Sequence, residues 1–154
     1  MNKKKSMCMI ASIILLFDQL IKIFLNKTFV LYQEIKIIPG FFKIFLVKNT
    51  GAAFSILQDN TIFIIIITVC FLSFLYNYVR KEESFSNLLT LALGMIFGGV
   101  LGNLVDRLVY HGVIDYLSFS FGSFEFPIFN LADISIVFGA FLIIYELLFS
   151  KNKI

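Results

Sequence analysis

The chain has 154 residues, of which 59% are hydrophobic and 15% charged, with a formal net charge of +3 and a mean hydropathy of +0.92. Soluble domains run at roughly 45–50% apolar residues, and a globule of this length has too little interior to hide so much apolar surface from water. The composition excludes an aqueous globular protein and leaves one integral membrane domain, residues 1–154, with short extramembrane pieces.

Apolar stretches cover about residues 7–25, 61–79, 88–109 and 128–149. At roughly 1.5 Å per helical residue, each is long enough for the ~30 Å hydrocarbon core of a bilayer. Lys3-Lys4-Lys5 ahead of the first stretch imitates a secretory signal peptide, but the run is too long for an h-region and ends without a small-residue cleavage site. A retained first span is expected. Within it Asp18 and Lys22 are four residues apart, on one helical face, where opposite charges pair. Cys8 and Cys70 sit inside apolar runs, where small buried hydrophobes without a disulfide are expected.

After the first span, Glu34-Ile35-Lys36-Ile37-Ile38 and Phe41-Phe42-Lys43-Ile44-Phe45 flank Pro39-Gly40, a strand–turn–strand pattern. The third span carries Gly94, Gly98 and Gly102 at steps of four, a stripe that lets another helix approach. Gly99, Asn103 and Arg107 run beside it at the same spacing, and Asp106 is expected to neutralise Arg107 in part. His111, the one histidine, reads as an ordinary turn residue. Leu117, Phe119 and Phe121 alternate with Ser118 and Ser120 as a second amphipathic strand, which Gly122-Ser123 turns toward Phe124-Glu125-Phe126. Pro127 suits the first turn of the fourth span, placing Asp133 early in that helix, near the positive end of its dipole, with Asn130 three residues before it.

The four spans put both termini on one side. The clusters Lys3-Lys4-Lys5, Arg80-Lys81, and Lys151 with Lys153 make that side the cytoplasm. Asp115 and Asp133 then meet at the outer face. An ionised carboxylate within the bilayer costs roughly 2.5–3.5 kcal/mol on insertion scales, which packing alone does not justify. Two such groups in a low-dielectric cleft share one proton, giving an acid and a base able to activate water and protonate a leaving amine. No metal cluster, phosphate loop or other cofactor motif stands out, and the basic residues flank membrane spans and form no nucleic-acid face. A proton-coupled transporter or channel subunit is the alternative on composition and topology alone; a passive scaffold leaves the polar constellation unexplained.

Five segments resemble the bacterial lipoprotein signal peptidases (signal peptidase II). They are Asp18-Gln19-Leu20-Ile21-Lys22; Val47-Lys48-Asn49-Thr50-Gly51-Ala52-Ala53-Phe54-Ser55; Gly99-Val100-Leu101-Gly102-Asn103-Leu104-Val105-Asp106-Arg107-Leu108; Gly112-Val113-Ile114-Asp115-Tyr116; and Phe126-Pro127-Ile128-Phe129-Asn130-Leu131-Ala132-Asp133. Any one is weak evidence; five in order over nearly the whole chain are strong. The resemblance implies a four-helix membrane protein with a small extracytoplasmic β-strand cradle and a substrate-clamping loop. It also implies an aspartic endopeptidase of the bacterial inner membrane that cleaves prolipoproteins before the diacylglyceryl-modified cysteine. Asp115 and Asp133 would be its dyad, with Asn49, Gly51, Asn103, Arg107 and Asn130 holding substrate and steadying the dyad, and Asp18 and Asp106 in support. Membrane lipid would surround it, a monomer is expected, and neither metal nor cofactor is implied. Tyr116 stands where the family has phenylalanine, and tryptophan is absent, with 20 phenylalanines in its place.

Overall fold

A computed structural model describes residues 2–51, 60–82 and 84–149. In chain order these form α1 (Lys3–Thr28), β1 (Glu34–Ile38), β2 (Phe42–Asn49), α2 (Thr61–Lys81), α3 (Asn87–Tyr110), β3 (Val113–Phe121), β4 (Phe124–Glu125) and α4 (Leu131–Phe149). All four helices are long and apolar enough to cross a membrane. Large apolar side chains such as Phe24, Ile62, Phe74, Val137 and Phe141 point outward, an arrangement that suits lipid as the surrounding solvent. The architecture is membrane α-helical, with four spanning helices and a small open antiparallel sheet. Ala52, Ala53, Phe54 and Ser55 of the second motif, and the flanking Lys151 and Lys153, lie outside the described residues.

Helix α3 is the spine. It packs against α1, α2 and α4, and its apolar window is the most buried of the four. Glycine makes this possible. A methyl group added at Gly98 would lie 2.7 Å from the Ala11 carbonyl oxygen of α1, and one at Gly99 would lie 2.5 Å from the Ala132 carbonyl oxygen of α4. Gly94 and Gly102 continue the first contact row along α1. Two adjacent glycines thus serve two different interfaces, since lipid provides no hydrophobic push and close backbone approach must supply the dispersion contact. Below them Met7, Leu75, Phe85, Leu93, Ile96 and Val100 form the apolar core.

The sheet has the order β1-β2-β3-β4, antiparallel throughout. Gly40, at φ 75°, turns β1 into β2, a backbone conformation that costs glycine little. His111 takes a left-handed φ of 56° as the C-cap of α3 and so redirects the chain into β3. The sheet is seated on the end of α1 by Leu25, Leu46, Ile114 and Tyr116.

Three expectations change. Helix α4 begins at Leu131, so Pro127 lies outside its first turn. Phe129 exchanges backbone hydrogen bonds with Leu117 at 2.8 and 3.1 Å, which keeps the preceding segment extended and delays the helix. Cys8 and Cys70 are free but exposed on the outer surfaces of their helices, not buried; in a bilayer that surface is itself apolar, so a thiol is tolerated there. Asp106 forms its ion pair with Lys22, at 2.8 Å, and acts on Arg107 only through space.

Every amide of the first turn of α4 has a partner. Leu131 N donates to the Tyr116 hydroxyl at 3.2 Å, Ala132 N to Asp18 Oδ1 at 3.0 Å, Asp133 N to Asn130 Oδ1 at 2.9 Å, and Ile134 N to the Asn130 carbonyl at 3.2 Å. The orphan donors of a helix start are satisfied from α1, β3 and the N-cap at once. Tyr116→Phe is expected to lower unfolding stability by about 1 kcal/mol, the worth of one neutral hydrogen bond, read as a small fall in melting temperature in detergent. Gly98→Val should cost more, about 1–3 kcal/mol from overpacking against α1, in the same measurement.

Candidate active site

Asp115 sits near the start of β3, almost fully buried. Register places it opposite Val47 of β2, so Asn49, two residues further along, shares its face of the sheet. That period of two is why Asn49 Nδ2 reaches Asp115 Oδ2, at 3.1 Å. The other oxygen, Oδ1, accepts from Asn130 Nδ2 at 2.6 Å. Burial, and then the neighbouring Asp133 carboxylate, raise the Asp115 carboxyl to about 7 against the opposing pull of these two amides. Asp115 therefore holds a proton far longer than an exposed aspartate.

Asp133 lies in the first turn of α4. Its Oδ2 accepts from Asn130 N at 3.1 Å and its Oδ1 from Asn103 Nδ2 at 2.7 Å. Together with the Asp133 amide on Asn130 Oδ1, the first of these closes a reciprocal capping box. Asn130, fully buried, thus touches both aspartates, one with its side chain and the other with its backbone. Its amide direction is forced: a backbone N–H only donates, so Oδ1 faces Asp133 N and Nδ2 is left for Asp115.

Behind this pair lies a charged cluster with no solvent exposure. Lys22 Nζ lies 2.8 Å from Asp18 Oδ2 and 2.8 Å from Asp106 Oδ2, and donates to Asn103 Oδ1 at 3.1 Å. Its three protons meet three acceptors. Asp106 Oδ2 also accepts from Ile114 N at 3.1 Å, which ties β3 to α3. Gln19 Nε2 lies between the two carboxylates, 3.2 Å from Asp18 Oδ2 and 2.9 Å from Asp106 Oδ1. Neither Asp18 nor Asp106 is hydrogen-bonded to Asp115 or Asp133; both act on the elements that carry them.

Arg107 donates to the Asn103 carbonyl at 3.2 Å and to the Gly51 carbonyl at 3.3 Å. Its Nε is buried with no hydrogen-bond partner among the described residues. Gly51 N in turn donates to Asn49 Oδ1 at 2.9 Å. The nine residues singled out in the sequence therefore lie in one connected region. Tyr116 and Gln19 are not among them, and the pairing of Lys22 with Asp18 expected from their spacing is present at 2.8 Å. Tyr116 stands out in the sequence only as a departure from the family's phenylalanine, and Gln19 only as a polar side chain in an apolar span.

A cavity of about 580 Å³ opens beside the two aspartates. Asn49, Asn103, Arg107, Asp115 and Asp133 line its polar end, and Phe126, Phe129, Ile134, Val137 and Phe138 its apolar length. Val137 and Phe138 also face outward from α4, so the cavity runs toward the side of the bundle. Among the described residues the buried charges Asp18, Lys22, Asp106, Arg107 and Asp115 gather at this one end and line no path across the bundle, which speaks against a transport route.

The comparisons with known proteins converge. A family model described as Signal peptidase (SPase) II matches residues 10–149. The lipoprotein signal peptidase of Maridesulfovibrio salexigens is 39% identical over 158 aligned positions, covering 99% of this chain and 100% of that protein. That of Halothermothrix orenii is 42% identical over 135, covering 88% and 90%. A solved bacterial membrane enzyme, determined by the in meso method at 2.3 Å resolution, superposes with a TM-score of 0.88 at 32% identity, over 96% of this chain and 90% of that one. A second, at 1.9 Å resolution, gives 0.83 at 34% identity, over 94% of each. Family match, relatives aligned end to end, and a shared membrane fold agree: the chain belongs to the signal peptidase II family of membrane proteases.

Proposed function

We propose that the protein is an aspartic endopeptidase of the bacterial inner membrane that removes signal peptides from prolipoproteins, cutting the bond before the diacylglyceryl-modified cysteine. One observation carries this reading: Asn130 holds two carboxylates, Asp115 and Asp133, at the head of a groove that is polar at the aspartates and apolar toward the membrane. The lipid anchor of such a substrate would remain in the bilayer beside Val137 and Phe138 while its peptide entered at the polar end. The curated relatives named as lipoprotein signal peptidases support the substrate class.

In the proposed reaction Asp133 takes a proton from water, and the oxygen attacks the scissile carbonyl carbon. The carbonyl π electrons move to oxygen, giving a tetrahedral oxyanion. Asp115, protonated near neutrality, passes its proton to the cysteine nitrogen as the C–N bond breaks. The collapse yields a carboxyl terminus on the signal peptide and a free amine on the lipidated cysteine. Asn49 and Asn103 already turn their NH₂ groups toward Asp115 and Asp133, which makes them positioning residues. Arg107, whose Nε–H has no partner among the described residues, is the better oxyanion donor.

The proposed topology has both termini in the cytoplasm and the active site toward the outer face. Lys4 Nζ donates to the Arg80 carbonyl at 3.1 Å, so the basic flanks of α1 and α2 share the end remote from the aspartates, in keeping with the positive-inside rule.

Purified protein in detergent, given a diacylglyceryl-modified prolipoprotein, should cleave it. Asp115→Asn and Asp133→Asn should each reduce turnover by about 10³-fold or more, with folding intact by circular dichroism; near-normal cleavage by either would overturn the dyad. Because Asp115 acts in its protonated form, kcat/KM should fall as pH rises through about 7. A profile level from neutrality far into the alkaline range would remove Asp115 as the acid.

A further inference from the structure

Lys22 does more than neutralise its neighbours. Two carboxylates at 2.8 Å already more than offset its charge, yet its third proton goes to the neutral oxygen of Asn103 at 3.1 Å. An ammonium has donors and no acceptor, so the atom that Asn103 turns toward it must be Oδ1. The NH₂ group is then on the other side, and it meets Asp133 Oδ1 at 2.7 Å. A reversed amide would set its NH₂ against the ammonium and its oxygen against the carboxylate, two repulsive contacts in a low-dielectric site. Asn130 Nδ2 favours the same orientation, but at 3.2 Å, with its shorter 2.6 Å bond committed to Asp115.

We propose that Lys22 is a positioning residue of the active site, which fixes the direction of the Asn103 amide and so aims an N–H at Asp133 Oδ1. The proposal rests on the reading of Asp115 and Asp133 as the catalytic pair. The run Lys22–Asn103–Asp133 is a one-way chain of donors from α1 through α3 to α4. With Oδ1 held by Asn103 and Oδ2 by Asn130 N, the Asp133 carboxylate cannot rotate, and the lone pair that would receive a proton from water keeps its direction.

A second consequence is electrostatic. The charged groups acting on Asp115 are Asp133 of α4, Arg107 of α3 and Lys22 of α1. Lys22 favours the ionised carboxylate, so its removal leaves the Asp115 proton more tightly held. The alkaline limb of the kcat/KM profile then moves to higher pH.

The test must separate positioning from simple charge balance. Lys22→Met alone leaves two buried carboxylates without a cation and risks misfolding. Two doubles that keep the net charge of the cluster are made beside it, Lys22→Met with Asp106→Asn and Lys22→Met with Asp18→Asn. Each is purified in detergent, melted by circular dichroism, and assayed for kcat, KM and pH profile on diacylglyceryl-modified prolipoprotein, beside wild type and Asp115→Asn. The expected result is a folded double whose kcat is about 10²-fold down, with KM little changed; the alkaline limb moves to higher pH in Lys22→Met alone, where no negative charge leaves with the lysine. A folded double with wild-type kcat would overturn the proposal, because charge balance alone would then suffice. Failure of both doubles to fold would mark Lys22 as an assembly residue and overturn it equally. Wild type without cleavage, or active Asp115→Asn, would instead strike the dyad reading, so the two failures are distinguishable.

Discussion

The structure depends on one buried cation. An ammonium taken from water into a medium of low dielectric costs of order 20 kcal/mol in the idealised limit, and Lys22 is fully buried. It is stable there only if all three of its protons find acceptors, and the carboxylates of Asp18 and Asp106 and the Asn103 oxygen supply them. The requirement fixes α1 against α3. Because Asp18 also caps Ala132 N and Asp106 also accepts Ile114 N, the same two carboxylates hold the start of α4 and of β3. The helix carrying Asp133 and the strand carrying Asp115 are positioned by one ion cluster.

Two asparagines convert that scaffold into an oriented site. A carboxamide is nearly symmetric in shape and opposite in chemistry at its two ends, so its direction must be imposed from outside. The Lys22 ammonium imposes it on Asn103, and the α4 backbone imposes it on Asn130. Both amides consequently direct N–H groups at the aspartates. The two carboxylates are left with different surroundings: one in a strand, buried and reluctant to ionise, the other in the first turn of a helix among donors. That difference of environment is the physical basis for the proposal that one serves as acid and the other as base.

The glycines set the distances on which this rests. Gly102 leaves room for Asp18, since an added Cβ would lie 2.6 Å from its Oδ2, and Gly99 admits the Ala132 backbone. In lipid no hydrophobic force presses helices together, so small residues decide how near the charged partners come. The outward apolar side chains contribute nothing to this geometry; they match the bundle to the bilayer.

The sequence by itself determined the membrane class, the four spans, the hairpin at Pro39-Gly40 and the second amphipathic strand, because hydropathy, length and period-two alternation are local properties that need no partner. It also singled out Asp115, Asp133 and Asn103, since carboxylates and amides in apolar surroundings are costly wherever they end up. Tertiary structure alone decided who pairs with whom. Spacing offered Asp106 its neighbour Arg107, but the α1–α3 approach gave it Lys22. Pro127 resembled a helix start until strand pairing of Phe129 with Leu117 carried the chain past it. Tyr116, locally just another aromatic in a strand, acquired a function for its hydroxyl only when α4 began beside it. Asn49 reaches Asp115 only through a register between strands separated by α2 and α3. Such contacts depend on distances between remote segments, which no local pattern encodes.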